Sequence, residues 1–284
     1  MTTQQNTRIG FIGGGNMAHA IIGGLLSAGH AADCLEVAEP AEEQRGRLRA
    51  LHADLCVGND NAETARNAEV LVIAVKPQVI DEVGERLREV QRPDHQLLIS
   101  IAAGITLDTL RAIFAPTQSI VRVMPNQPAL VGAGMAVLTA TDAASVEQRA
   151  LAHYVAAAMG RAEWLDDEDL MDAVTAVSGS GPAYFYLLME LIEAAARDMG
   201  LPAHLARTLS RQTGFGAGQV AALSDLELAA LRESVTSKDG TTAAALASLE
   251  QAGIRDIVKR ALRAARDRSV ELGAAHDTGG RNAT

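Results

Sequence analysis

The sequence predicts an N-terminal α/β domain, built on a doubly wound parallel sheet, followed by an all-α C-terminal domain. Three observations predict it. Short apolar runs rich in Val, Ile and Leu alternate with amphipathic stretches over residues 1–164. From Asp166 onward no stretch reads clearly as a strand, and Ala- and Leu-rich segments broken by Gly and Pro read as helices. Between the first apolar run and the first helical stretch lies a glycine-rich turn, Gly13-Gly14-Gly15-Asn16-Met17-Ala18. The domains divide accordingly into 1–164 and 165–284.

Taken in order, Ile9–Ile12, Leu35–Ala38, Val70–Val75, Leu97–Ile101 and Ile120–Met124 are short, apolar and bounded by turn or polar residues, so they read as buried strands. A short third strand precedes Asn61, which falls on the loop after it. Residues 16–28, 41–53, 78–90 and 106–114 have helical spacing. Such alternation implies parallel strands with right-handed crossovers and helices on both faces. Gly132–Leu138 and Ala162–Leu165 are weaker strands that flank a helix at 145–159. Beyond them, helices are expected at 167–178, 182–199, 203–222, 225–233, 241–251 and 254–272, and Gly273–Thr284 reads as a loose polar tail. Residues 174–177, Ala183–Ile192 and Ala243–Leu249 are apolar nearly all round, which predicts burial against a partner subunit; a self-contained bundle is the alternative.

Composition narrows the function. Hydrophobic residues make up 48% and charged residues 21%, as in an ordinary globular chain. The net charge of −10 is spread evenly over both halves, and only 3% of residues are aromatic. Both facts argue against nucleic-acid binding. No apolar window is long enough to span a membrane. The polar segment before Arg8 and only two cysteines, Cys34 and Cys56, fit the cytoplasm. The seven histidines show no metal-ligand spacing, and there is no G-x-S-x-G elbow.

The glycine turn has the G-x-G-x-x-A form in its strand–turn–helix context, which identifies a Rossmann-type dinucleotide site. Gly13 allows the turn, Gly15 lets a pyrophosphate approach the backbone, and Ala18 keeps helix and strand close. Glu39, at the end of the second strand, favours the free ribose hydroxyl of NAD(H). Pro40, Arg45 and Arg47 beside it leave NADP(H) open. Ala74-Val75-Lys76-Pro77 ends the fourth strand at the same ligand-binding edge, and Asn61 could also line the groove. In the second half, 235–242 places hydroxyls and a glycine before a helix; this fits an N-cap or an anion site equally. Ser178-Gly179-Ser180-Gly181-Pro182 is a polar, flexible break between apolar helices, as expected where backbone must approach something.

These motifs together resemble pyrroline-5-carboxylate reductase. The resemblance rests on 13–18, 74–77, Arg122-Val123-Met124-Pro125-Asn126, 235–242 and, most specifically, 172–184, and it runs along nearly the whole chain. It implies reduction of 1-pyrroline-5-carboxylate to proline with NADPH or NADH, and a helical dimerisation domain whose intertwined dimers assemble into a decamer. Carried over, Gly13, Gly14, Gly15, Asn16, Met17, Ala18, Asn61, Ala74, Val75, Lys76 and Pro77 would hold the cofactor. Ser237 and the amides of Gly240, Thr241 and Thr242 would hold the substrate carboxylate, and the Thr242 hydroxyl would bond the ring nitrogen. Lys238 and Asp239 stand where the family reads Pro-Gly, and Gln127 where Thr is common. The chemistry asks for orientation and a polar contact at nitrogen, and no strong acid, because a protonated C=N is already electrophilic. A β-hydroxyacid dehydrogenase would by resemblance need a lysine within 167–199, and Lys76, Lys238 and Lys259 all lie elsewhere. A nucleotide sensor without turnover is the non-enzymatic alternative, favoured by Lys238 and Asp239.

Overall fold

The structure, a computed structural model, describes residues 3–279. Eight strands form one sheet in the order β3-β2-β1-β4-β5-β6-β7-β8. They are β1 (Ile9–Ile12), β2 (Leu35–Ala38), β3 (Cys56–Gly58), β4 (Val70–Ile73), β5 (Leu97–Ser100), β6 (Ile120–Met124), β7 (Gly134–Ala140) and β8 (Gly160–Trp164). The helices threaded between them are α1 (Asn16–Ser27), α2 (Glu42–Arg49), α3 (Asn61–Asn67), α4 (Ile80–Arg88), α5 (Leu107–Phe114) and α6 (Val146–Ala157). The strands are nearly uniform in apolar character because both faces are covered. Alternate residues point to opposite faces. Ile9, Phe11, Val70 and Val72 join Ile21, Ile22 and Leu25 of α1 in one core; Ile12, Leu71 and Ile73 join Ile80, Leu87 and Leu110 of α4 and α5 in the other.

One strand takes a direction that the alternation leaves open, and one expectation changes. β7 runs antiparallel to β6, with Met124 opposite Val137 and Val121 opposite Ala140. The connection between them is one short 3-10 turn, Gln127–Val131, and a parallel return would need a full crossover. Asn61 is not on a loop: it is the first residue of α3, capped by Asp60, whose carboxylate accepts from Ala62 N at 2.8 Å.

Two compact units make up the chain, Met1–Gly179 with Arg266–Thr284, and Ser180–Ala265. In the first unit a short helix, α7 (Met171–Val174), opens into a π turn over Thr175–Gly179, where the sequence predicts one continuous helix. The last helix, α12 (Ile254–Gly279), continues well past Leu272, so the expected tail is helical as far as Gly279; residues 280–284 lie outside the described residues.

An ion pair secures the segment between sheet and π turn. Arg122 on β6 is buried and donates from Nη1 to Glu168 Oε1 at 2.7 Å; the same oxygen accepts from Leu107 N, at the start of α5, at 2.9 Å. Removing Arg122 leaves the half-buried Glu168 carboxylate without its cation. Arg122→Ala is expected to lower unfolding free energy by about 1.5–3 kcal/mol in a denaturant titration; a change under about 1 kcal/mol would show that the pair is solvated in solution.

The second unit contains α8 (Gly181–Asp198), α9 (Ala203–Leu223), α10 (Leu228–Ser234), α11 (Thr241–Gln251) and the first half of α12. α8 and α9 form a hairpin, tied by Ser210 Oγ donating to Met189 O at 2.5 Å. Little else is covered. Only Gly181 and Ala196 of α8 are buried, and α10 and α11 have no buried residue. Phe185, Leu187, Leu191 and Ile192 are 46–64% exposed in the single chain. The self-contained bundle is therefore not what forms. No helix among the described residues is long and apolar enough to cross a membrane.

Candidate active site: a glycine cradle and a helix-capping turn

The cradle lies in the first unit, at the carboxyl ends of β1 and β4. Gly13 N–H donates to Ala38 O at 2.8 Å and Ala74 N–H to Ile12 O at 2.8 Å, so the ends of three strands meet. Gly13 has φ +95, and a Cβ there would lie 2.8 Å from Ala74 O; the turn and the Ala74 loop are packed against each other. Gly15 differs. A Cβ at Gly15 would meet nothing within 4 Å. The open space lies where Gly15 caps α1, and no side chain bonds the helix N-terminus there. Asn16, Met17 and Ala18 thus form an uncapped first turn, with no acidic residue, facing a clear approach: an anion site. A pyrophosphate fits it, which an acidic or side-chain-capped turn would not accept.

Around the cradle the polar groups are already partly committed. Glu39 is buried; its Oε2 accepts from Gly14 N at 2.7 Å and its Oε1 from Ala41 N at 2.8 Å. The carboxylate thus braces the glycine turn, leaving each oxygen one further lone pair for a ribose hydroxyl. Arg45 is spent as well. Its Nη1 donates to Glu39 O and Pro40 O, both at 2.7 Å, and its charge is met by Glu42. Arg47 is exposed and bonds the neutral Gln44. Burial, and then the Arg47 charge, hold the His19 imidazole below its ordinary pKa, which favours its neutral form. Lys76 is exposed at the head of a 3-10 turn begun by Pro77, with Val75 half-buried beside it. Asn61 follows Gly58, whose carbonyl accepts from Glu39 N at 3.0 Å, so the sheet brings it to the same edge.

A separate helix-capping turn lies in the second unit. Gly240 N–H donates to Ser237 O at 3.1 Å, closing a four-residue turn over Ser237-Lys238-Asp239-Gly240. Asp239 has φ +58 and is the one non-glycine residue with positive φ among those described. Positive φ at the third position is the type II pattern, which favours Pro then Gly at its centre. Lys238 and Asp239 occupy those places without either advantage. Gly240 caps α11 with no side-chain bond, so the hydroxyls of 235–242 do not act as an N-cap. The Gly240 amide is used in the turn itself; the amides of Thr241 and Thr242 are the ones that open the helix. Ser237 Oγ lies against Gly240, where any side chain would collide with it. Thr242 is half-buried at the second position of α11.

Asn126, which sequence reasoning places only within a motif, has a specific task. Its Nδ2 donates to Ser178 O at 3.0 Å and its Oδ1 accepts from Met135 N at 2.8 Å. Among the described residues no group of three or more His, Cys, Asp and Glu could hold a metal ion.

Comparison with known proteins adds to this geometry. Residues 168–272 match the family model described as pyrroline-5-carboxylate reductase dimerisation, and residues 8–104 match NADP oxidoreductase coenzyme F420-dependent. The chain is 45% identical to a pyrroline-5-carboxylate reductase of Haemophilus influenzae, over 94% of this chain and 98% of that one. It superposes on a pyrroline-5-carboxylate reductase from Coxiella burnetii with TM-score 0.90 and 36% identity, covering 94% of this chain and 98% of that one. The Plasmodium falciparum pyrroline carboxylate reductase, solved with NADP bound, gives TM-score 0.81 and 30% identity over 95% of this chain and 99% of that one.

Proposed function

Since the chain belongs to the pyrroline-5-carboxylate reductase family, we propose that its glycine cradle holds NADPH or NADH and its Ser237–Thr242 segment holds the substrate. The enzyme reduces 1-pyrroline-5-carboxylate to L-proline, the last step of proline biosynthesis. The observation that carries the residue assignment is the side-chain-free N-terminus of α11 directly behind the Ser237–Gly240 turn.

When bound, the reduced nicotinamide supplies the hydride taken up by the imine carbon. The chain's own residues do the rest. Gly13, Gly15 and the first amides of α1 receive the pyrophosphate, with Ala74–Pro77, Asn61 and Glu39 along the same edge. Ser237 Oγ and the Thr241 and Thr242 amides take the substrate carboxylate. Thr242 Oγ accepts the N–H of the protonated ring and holds the C=N in one orientation. That proton arrives with the substrate, so no residue need act as a strong acid.

Asp239 bears on affinity. A like charge held a few ångströms from the substrate carboxylate in water costs about 1 kcal/mol, or roughly fivefold in binding. Asp239→Asn removes the charge and keeps a residue that tolerates positive φ. It is expected to lower KM for the imine about fivefold in steady-state assays at low salt; an unchanged KM would place the carboxylate elsewhere.

The chain acts as a homo-oligomer. The uncovered apolar faces of α8 and α9 support intertwined dimers, and we extend this to a decamer of five such dimers. Light scattering is expected to give the mass of ten chains; a stable monomer would contradict any assembly. The free cysteines Cys34 and Cys56 support a cytoplasmic setting.

A further inference from the structure

We propose that Asn126 is a positioning residue for hydride transfer, acting by holding the Val177–Gly179 backbone at the carboxyl edge of the sheet. The inference rests on the reading that the cofactor lies along that edge.

The Ser178 carbonyl has no helical donor. In an α-helix Ser178 O would accept from the residue four places on, but that is Pro182, which has no N–H. The next donor, Ala183 N–H, is taken by Ser180 O at 3.0 Å. The chain makes a π turn over Thr175–Gly179, a rare conformation that is frequent at functional sites. Asn126 Nδ2 supplies the missing donor at 3.0 Å.

The other end of the same amide is equally committed. The β6–β7 register pairs Met124 with Val137, so Met135 stands opposite Asn126, just past the end of the ladder. Its N–H donates to Asn126 Oδ1 at 2.8 Å. One short side chain therefore carries the sheet's pairing outward and fixes the turn to it. Asparagine suits this because it offers a donor and an acceptor on one rigid plane. Met124 adds a second grip: a Cβ on Gly179 would lie 2.5 Å from Met124 Cε.

The location gives the buckle its consequence. β6 runs parallel to β5, β4 and β1, so Asn126 lies at the same carboxyl edge as Gly13 and Ala74. The turn's hydroxyl protons are committed to backbone carbonyls. Ser178 Oγ donates to Val174 O at 3.0 Å and Thr175 Oγ1 to Met171 O at 2.9 Å. What the turn presents is backbone shape. A reaction that uses no strong acid depends on orientation, and small displacements are costly in rate.

The test is single-turnover hydride transfer in a stopped-flow instrument, with enzyme saturated with NADPH and then mixed with pyrroline-5-carboxylate. Asn126→Asp keeps the shape and the acceptor but loses the donor; Asn126→Ala loses both. Each is expected to slow the transfer rate constant at least about tenfold, with NADPH Kd within about twofold of wild type. A merely structural role would lower melting temperature and reaction amplitude while leaving the rate constant unchanged, and that result would overturn the proposal. Failure of both variants to fold would also overturn it, since the residue would then be structural. If Thr242→Ala is impaired but the Asn126 variants transfer hydride normally, this inference alone falls. If the wild-type enzyme does not reduce the imine, the site reading falls and takes this one with it.

Discussion

Gly15→Val is expected to leave the protein folded and to weaken dinucleotide binding at least about 100-fold, the equivalent of about 2.7 kcal/mol. The three consecutive glycines serve different ends. Gly13 sits at φ +95 against Ala74 O, and a Cβ on Gly14 would lie 2.5 Å from Leu48 Cδ1, so changes at either strain the protein itself. Gly15 has φ −67, open to any residue, and a Cβ there meets nothing within 4 Å. On the proposed reading its bareness serves a ligand. Valine there would fill the approach to the first turn of α1 and hold a pyrophosphate off the amides. Melting temperature should stay within about 2 °C, since no contact is lost or forced. Fluorescence titration with NADPH checks the affinity. Binding within about threefold of wild type would mean that the phosphates do not rest on α1.

Thr242→Ala is expected to lower kcat/KM for the imine about 10- to 100-fold. A hydrogen bond to a charged group is worth about 1.5–3 kcal/mol, and the proposed bond is to the protonated ring nitrogen. NADPH affinity should not change. Thr242→Ser, which keeps the hydroxyl, should recover most of the activity and so separates the bond from packing by the methyl group. An unchanged kcat/KM in Thr242→Ala would remove this residue from the mechanism.

Much of this is legible from residues alone, and the exceptions have physical reasons. Ile9–Ile12 followed by G-x-G-x-x-A is a local pattern whose strand, turn and helix each follow from the residues themselves, and all three form as read. Leu35–Ala38 and Ile120–Met124 likewise keep their bounds. Sequence reasoning misses α3 because its seven residues are too few to show a period, and its Asp60 cap precedes a polar run. The direction of β7 is set by connection length, not by strand composition. Glu39 reads toward the ribose, whereas its first partners are Gly14 and Ala41 N–H; a sequence cannot show which backbone amides a carboxylate will meet. Asn126 shows the same limit at the candidate site. Its part depends on a carbonyl orphaned by Pro182 and on an amide beyond the end of a ladder, both of which arise only when distant segments meet.

The most direct measurement follows reduced-nicotinamide absorbance in purified protein mixed with 1-pyrroline-5-carboxylate, run in parallel with NADPH and NADH. The account predicts a loss of signal that requires both enzyme and imine, with proline formed in equal amount. The ratio of the two rates then reports whether Glu39 or the exposed Arg47 governs the adenosine ribose. No loss with either cofactor, in protein shown to bind the dinucleotide, would contradict the assignment of Ser237–Thr242 as the site of imine reduction.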